Sequence, residues 1–167
     1  MSWYSRVVQD VFTRPANTDI YAATDVIAAT TSNTDTTPLR SLKVANNTRP
    51  VRLRYLRIDT NKDDFLPTIR VHFYNVASPD TAVVGDNVAH VLSYANVEDY
   101  IGYATTTPAL ADVGDYASVQ LGDTNALDLL MVPDATGNVY YRLAITTTTP
   151  TPASEQSFTI TVGVVDA

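Results

Sequence analysis

Alternation of apolar and polar residues dominates the chain. Val51-Arg52-Leu53-Arg54-Tyr55 and Ile69-Arg70-Val71-His72-Phe73 each place apolar side chains at every second position, with cations or a histidine between them. That is the pattern of a strand with one face in a core and the other toward water. Between the two runs, Asp59-Thr60-Asn61-Lys62-Asp63-Asp64 holds residues that end strands and make turns, and Pro67 cannot donate to a ladder at the next strand's start. The runs are expected to form an antiparallel pair inside a β-sandwich.

The same reading extends along the chain. Ser5 to Thr13 is a short β-prone run that closes at Arg14-Pro15, because Pro15 pushes Arg14 out of the helical region. Tyr21 to Ala29 is a second extended run, and Leu39 to Val44 a third, with Leu42 and Val44 on one side and Lys43 on the other. Within the Val51 run, Leu56 and Ile58 fall on the parity of Arg52 and Arg54, and a bulge near Tyr55 and Leu56 returns both groups to one face. Val88 to Tyr94 suits a helical turn or a brief strand. Tyr100-Ile101-Gly102-Tyr103-Ala104 reads as a strand with its Gly at a close approach or bulge, and Tyr116 to Leu121 as a weak strand.

The last third is clearer. Leu127 to Val132 runs to Pro133, and Asp134-Ala135-Thr136-Gly137-Asn138 is a turn with Gly or Asn available for positive φ. Val139, Tyr141, Leu143 and Ile145 then point inward, Thr146 to Ser154 with its two prolines forms a stiff exposed connector, and Phe158 to Val164 alternates strictly. Roughly eight to ten strands and no long helix give an all-β, jelly-roll-like antiparallel β-sandwich in a single domain. Residues 1–14 are expected to be an N-terminal arm and first strand, and residues 15–167 the sandwich domain.

Composition narrows the function classes. At 167 residues, with 45% hydrophobic residues, the chain is long enough to bury a sizeable core without a covalent staple. It has no Cys, which removes disulfides and cysteine nucleophiles and suits a reducing cytoplasm. No apolar run approaches the roughly 20 residues that a membrane span needs, so no membrane is expected. The net charge is −7, yet eight of the eleven cations lie between residues 40 and 70, while Val71 to Tyr141 holds nine acids and no Lys or Arg. An acidic chain repels phosphate, so nucleic acid is not an expected partner. The segregated cations read either as a solvated strand face or as a patch that meets an acidic partner or a neighbouring subunit.

Catalytic and metal chemistry find little footing. Asp59-Thr60-Asn61-Lys62-Asp63 begins like a calcium loop, but the sixth position is Asp64 where Gly is needed and the twelfth is Arg70 where Glu is needed. His72 and His90 are the only histidines, too few for a zinc site without further donors, and His72 on the parity of Arg70 reads as an exposed or hydrogen-bonded structural residue. Ser93 and Asp86 flank His90 without a nucleophile elbow, and the adjacent Glu98 and Asp99 would point to opposite faces of a strand. No enzyme, catalytic residue, cofactor or metal is expected.

A resemblance runs through Phe12-Thr13-Arg14-Pro15, Tyr21-Ala22-Ala23-Thr24-Asp25-Val26-Ile27, Val71-His72-Phe73-Tyr74-Asn75 with Pro79 and Asp80, Tyr100-Ile101-Gly102, and Val139-Tyr140-Tyr141-Arg142-Leu143. From about residue 5 to residue 165 the chain resembles a family of tailed-phage head decoration, or cement, proteins. Where that family often has Gly before the Asp of its Tyr…Asp-Val motif, this chain has Thr24, which bears on the tightness of the turn. The resemblance implies a jelly roll that binds the major capsid protein on the outside of a phage shell, commonly as a homotrimer, in a particle assembled in the host bacterial cytoplasm. Trp3 and Tyr4, the aromatic pair near the start, and the strand cations Arg52, Arg54 and Arg70 are then the expected capsid or subunit contacts, since Trp, Tyr and Arg anchor interfaces. The other reading is a carbohydrate-binding or host-recognition module, because jelly rolls hold sugars by aromatic stacking and the chain has ten Tyr. Grouped exposed aromatics would favour sugar binding, and aromatics consumed in the core would favour the capsid.

Overall fold

The computed structural model describes residues 6–31, 39–62, 65, 67–77, 85–91, 97–105, 109–110, 117–121, 128–147 and 150–167. Strands β1 (Arg6–Thr13), β4 (Val51–Thr60), β8 (Ala117–Leu121), β9 (Leu129–Met131) and β11 (Ser157–Asp166) form one antiparallel sheet with the short β7 (Ala109–Leu110). Strands β2 (Val26–Ile27), β3 (Arg40–Lys43), β5 (Thr68–Tyr74), β6 (Tyr100–Thr105) and β10 (Asn138–Thr147) form the other. The pairings nest: β5 with β6, β4 with β8 and β9, β10 with β2 and β3, and β1 with β11. A single antiparallel ribbon wound so that its successive pairs alternate between two sheets is a jelly roll, and the chain is an all-β sandwich of one domain. Its first strand is part of that sandwich, running opposite β11 from Arg6 with Val164 to Thr13 with Ser157.

Inward-pointing residues of both sheets meet in one core: Leu53, Leu56 and Ile58 from β4, Val71 and Phe73 from β5, Val139, Tyr141, Leu143 and Ile145 from β10, and Phe158, Ile160 and Val162 from β11. Each such side chain contributes about 1.5–3 kcal/mol by leaving water. At one end Phe158 stacks on Phe12 at 5.5 Å and meets the edge of Phe65 at 5.7 Å.

Phe65 explains a correction. The β4 and β5 runs do not pair; β4 lies against β11 and β5 against β10, in opposite sheets. Their connector crosses from one sheet to the other with Phe65 inserted between the layers, which its neighbouring polar residues conceal in the sequence. The expected bulge in β4 is present: Gly163 faces Tyr55 while Val164 faces Leu53, so burial changes phase at Arg54 and Tyr55. In β6 the register shifts at Ile101, beside Gly102 at φ 148. The Pro-containing connector is less exposed than expected, for Pro152 is buried and Ala153 accepts a hydrogen bond from Arg14.

Candidate functional site

The candidate interface residues separate. Trp3 and Tyr4 lie outside the described residues. Arg52 and Arg54 alternate with the core residues Val51 and Leu53, so they stand together on the outer face of the β4 sheet, where both approach Asp128 at 3.0 and 3.6 Å. Arg57 on the same strand pairs with Asp59 at 2.7 Å. Arg70 stands on the outer face of the opposite sheet. The cations crowded into residues 40–70 are thus spread over both faces of the sandwich, and several are answered by acids, one of them from the acid-rich half of the chain. The outer face of the β1–β11–β4 sheet exposes the apolar side chains of Leu130, opposite Arg52, and of Val7 and Val11 on β1.

Around Arg70 the structure gathers residues that the sequence kept apart. His72 lies opposite Arg142 on β10 and Tyr103 on β6, and Tyr74 lies opposite Tyr140 and Tyr100. Residues 85–91 run beside β2, where Val26 N donates to Val88 O at 2.9 Å and Asp25 bridges Ala89, and from there His90 reaches over the sheet. Its ring stacks on His72 at 4.1 Å between centroids. His90 Nε2 is 2.9 Å from Tyr74 Oη, and His72 Nδ1 is 3.0 Å from Tyr100 Oη. Arg70 lies 4.3 Å from the ring centroid of Tyr103, which is 52% exposed and forms the rim.

This outer face is therefore covered rather than bare, and the covering sets its electrostatics. Burial, the neighbouring imidazole, and the charges of Arg70 and Arg142 push His72 down to about 3. Burial, then Arg142 and Arg70, push His90 down to about 4. Both rings are neutral at pH 7, when a proton on either would be unsolvated and faced by two guanidinium groups. Burial also pulls Arg142 down to about 10 and pushes Tyr74 up to about 12. With neutral imidazoles and protonated phenols, the cluster carries the charge of its arginines alone.

The covering segment is held by a second polar centre. Asp86 Oδ2 accepts from Arg14 Nη2 at 2.7 Å, and Asp86 Oδ1 accepts from Tyr21 Oη at 2.6 Å and from the Ala28 amide at 3.0 Å. The Arg14 guanidinium also donates to Tyr21 Oη, Asn17 O, Asn17 Oδ1 and Ala153 O, so all three of its nitrogens are engaged. Burial, Asp86 and its hydrogen bond push the Tyr21 phenol far above its usual range. Such a closed set leaves no free proton donor or nucleophile.

Sequence reasoning found Arg70 and His72 in this region through their shared parity. It missed Arg142, His90 and the three tyrosines, although Arg142 occupies the same outward parity on its own strand. Asp59, the first residue of the calcium-like stretch, accepts from Arg57 Nε, while Asp63 and Asp64 lie outside the described residues. Among the described residues no group of three or more His, Asp or Glu is placed to hold a metal ion, and no helix is long and apolar enough to cross a membrane. Comparison with protein-family models gives no match for this chain, and neither does comparison with curated proteins.

Proposed function

We propose that the chain is a structural virion protein that binds the outer surface of a phage capsid, as a trimer, and stabilises or decorates the shell. The observation that carries this reading is where the tyrosines go. Of the seven within the described residues, Tyr21, Tyr74 and Tyr141 are buried, Tyr55, Tyr100 and Tyr140 are half-buried, and only Tyr103 is exposed. Aromatics spent on the interior leave little platform for sugars. The resemblance to cement proteins and the jelly-roll topology support the same reading. The exposed Val7, Val11 and Leu130, on the outer face that also carries the Arg52, Arg54 and Asp128 ion pairs, supply an apolar surface with polar groups suited to a protein partner.

The test is cosedimentation of the purified protein with phage capsids that lack it, together with light scattering of the protein alone. Saturable binding and a mass of about three times 18.2 kDa are expected. Failure to bind any tailed-phage shell would remove the reading. Deleting residues 1–4 should weaken capsid binding, by roughly thirtyfold if Trp3 is a hot spot, with the melting midpoint unchanged. A lowered midpoint with normal capsid occupancy would instead move the contact to Arg52 and Arg54. The second reading, a sugar-binding module, rests on Tyr103 with Arg70 against its ring. Glycan binding abolished by Tyr103→Ala would establish it.

A further inference from the structure

The outer face of the β10–β5–β6 sheet holds two guanidinium groups that no acid answers among the described residues. Arg142 is 5% exposed, and its Nη1 is buried without a hydrogen-bond partner; Arg70 Nε is buried and unpartnered in the same way. Arg70 lies opposite Ala144 and Arg142 opposite His72, which makes the two arginines diagonal neighbours across the β5–β10 ladder. In an antiparallel sheet that separation is about 7–8 Å. Among the described residues no carboxylate pairs with either, whereas Arg14, Arg40, Arg52, Arg54 and Arg57 each have one.

The other groups of the cluster, two neutral imidazoles and three phenols, bring no negative charge. Each histidine meets a tyrosine hydroxyl through one ring nitrogen. In the tautomers whose ring nitrogen accepts from the phenol, the other ring nitrogen carries the proton and is a donor. A guanidinium taken out of water needs an anion to offset its lost hydration, and its planar fork fits two oxygens of one oxyanion. Two such forks at diagonal positions fit a single anion between them.

We propose that Arg70 and Arg142, with the stacked His72 and His90, form a binding site for one small oxyanion, a phosphate or a carboxylate, approached from the side of Tyr103. The oxyanion offsets both positive charges and gives acceptors to Arg142 Nη1 and Arg70 Nε. The site lies on the sheet opposite Arg52 and Arg54, and of the expected interface residues it uses Arg70 alone.

The test uses the full chain. Sodium phosphate and sodium acetate are titrated separately at ionic strength held constant with sodium chloride, and the melting midpoint and the heat of binding are recorded. The midpoint should rise with the logarithm of oxyanion concentration, and binding should weaken at least tenfold in Arg142→Met and in Arg70→Met but not in Arg54→Met on the opposite sheet. A response to phosphate alone assigns a tetrahedral ligand and a response to acetate alone a carboxylate; either supports the site. No rise beyond the chloride control overturns the proposal, and so does an equal rise in both cluster variants. Should Arg142→Met fail to fold, Arg70→Met decides, read together with the ring resonances of His72 and His90, which must shift on adding phosphate to the unaltered chain.

Discussion

Arg14 and Asp86 are 72 positions apart in sequence and 2.7 Å apart in space, and the side chains of both are fully buried. The pair ties the end of β1 to the segment that covers the outer face of the β10 sheet. Removing one partner of a buried pair strands the other charge, at a cost of about 3–5 kcal/mol. Asp86→Asn should therefore lower the urea midpoint sharply. Arg14→Met combined with Asp86→Leu should lose less than the sum of the two single changes, because the double variant leaves no orphaned charge. Additivity in that cycle would show that the two residues act separately.

The histidine pair makes stability depend on pH in a definite sense. In the unfolded chain each imidazole takes up its proton near pH 6.5, while in the fold His72 is pushed down to about 3 and His90 to about 4. The unfolded state therefore binds more protons between those limits. Stability is complete above pH 6.5 and falls as the solution is acidified toward pH 4, by roughly 2 kcal/mol per histidine at pH 5. Urea denaturation at pH 7 and pH 5 measures the loss, which His90→Asn should reduce. A flat profile would mean that the covering segment opens and lets the rings protonate freely.

Thr24 has φ 78, in the left-handed region that β-branched residues avoid. It is held there because its amide donates to Ile145 O at 2.7 Å and its carbonyl accepts from His90 N at 2.8 Å. Thr24→Gly relieves the strain, partly offset by the greater freedom of glycine in the unfolded chain. A net gain of about 0.5–1 kcal/mol is expected in chemical denaturation, and a loss would locate a stabilising contact in the Thr side chain.

Gly137 sets the opposite test. It has φ 88, and a Cβ there would stand 2.1 Å from Ala45 O. The surrounding turn is fixed by Asp134, whose Oδ1 accepts from the Thr136 and Asn138 amides and whose Oδ2 accepts from Tyr140 Oη. With the turn unable to yield, Gly137→Ala should destabilise by more than about 2 kcal/mol. A near-neutral result in the same denaturation assay would show that β3 can move away from β10.

What the sequence disclosed, and what it hid, divide along a physical line. Period-two alternation reports the face on which a side chain lies, so the inward set Val139, Tyr141, Leu143 and Ile145 was legible, as was a bulge near Tyr55 and Leu56, which the structure places at Arg54. Alternation does not report which strand lies alongside, and so β4 and β5 looked like partners. Nor does it report what covers an outer face. His72 and Arg142 carry the pattern of solvated positions, yet both are buried, and His90 from the segment 85–91 stacks on His72. The Arg14 and Asp86 pair has no local signature at all, because each residue sits in a turn-rich stretch typical of surface loops. The absence of Gly at position 24 was visible in the sequence, while the left-handed backbone that makes it costly was not.

The position of β11 between β1 and β4 has a consequence for how the chain comes to be folded. As a ribosome delivers the strands in order, β1 waits for the partner that will satisfy its backbone, since Arg6 faces Val164 and Thr13 faces Ser157. β4, too, has one flank open until β11 emerges. Vectorial folding of that sheet is ruled out by its wiring. Closing it means joining segments separated by most of the chain, which places the protein among slow folders, on the scale of roughly milliseconds to seconds. During that interval the unpaired edges of β1 and β4 are open to other nascent chains, so yield in the cell should depend on synthesis rate and chaperone supply more than on the stability of the finished sandwich.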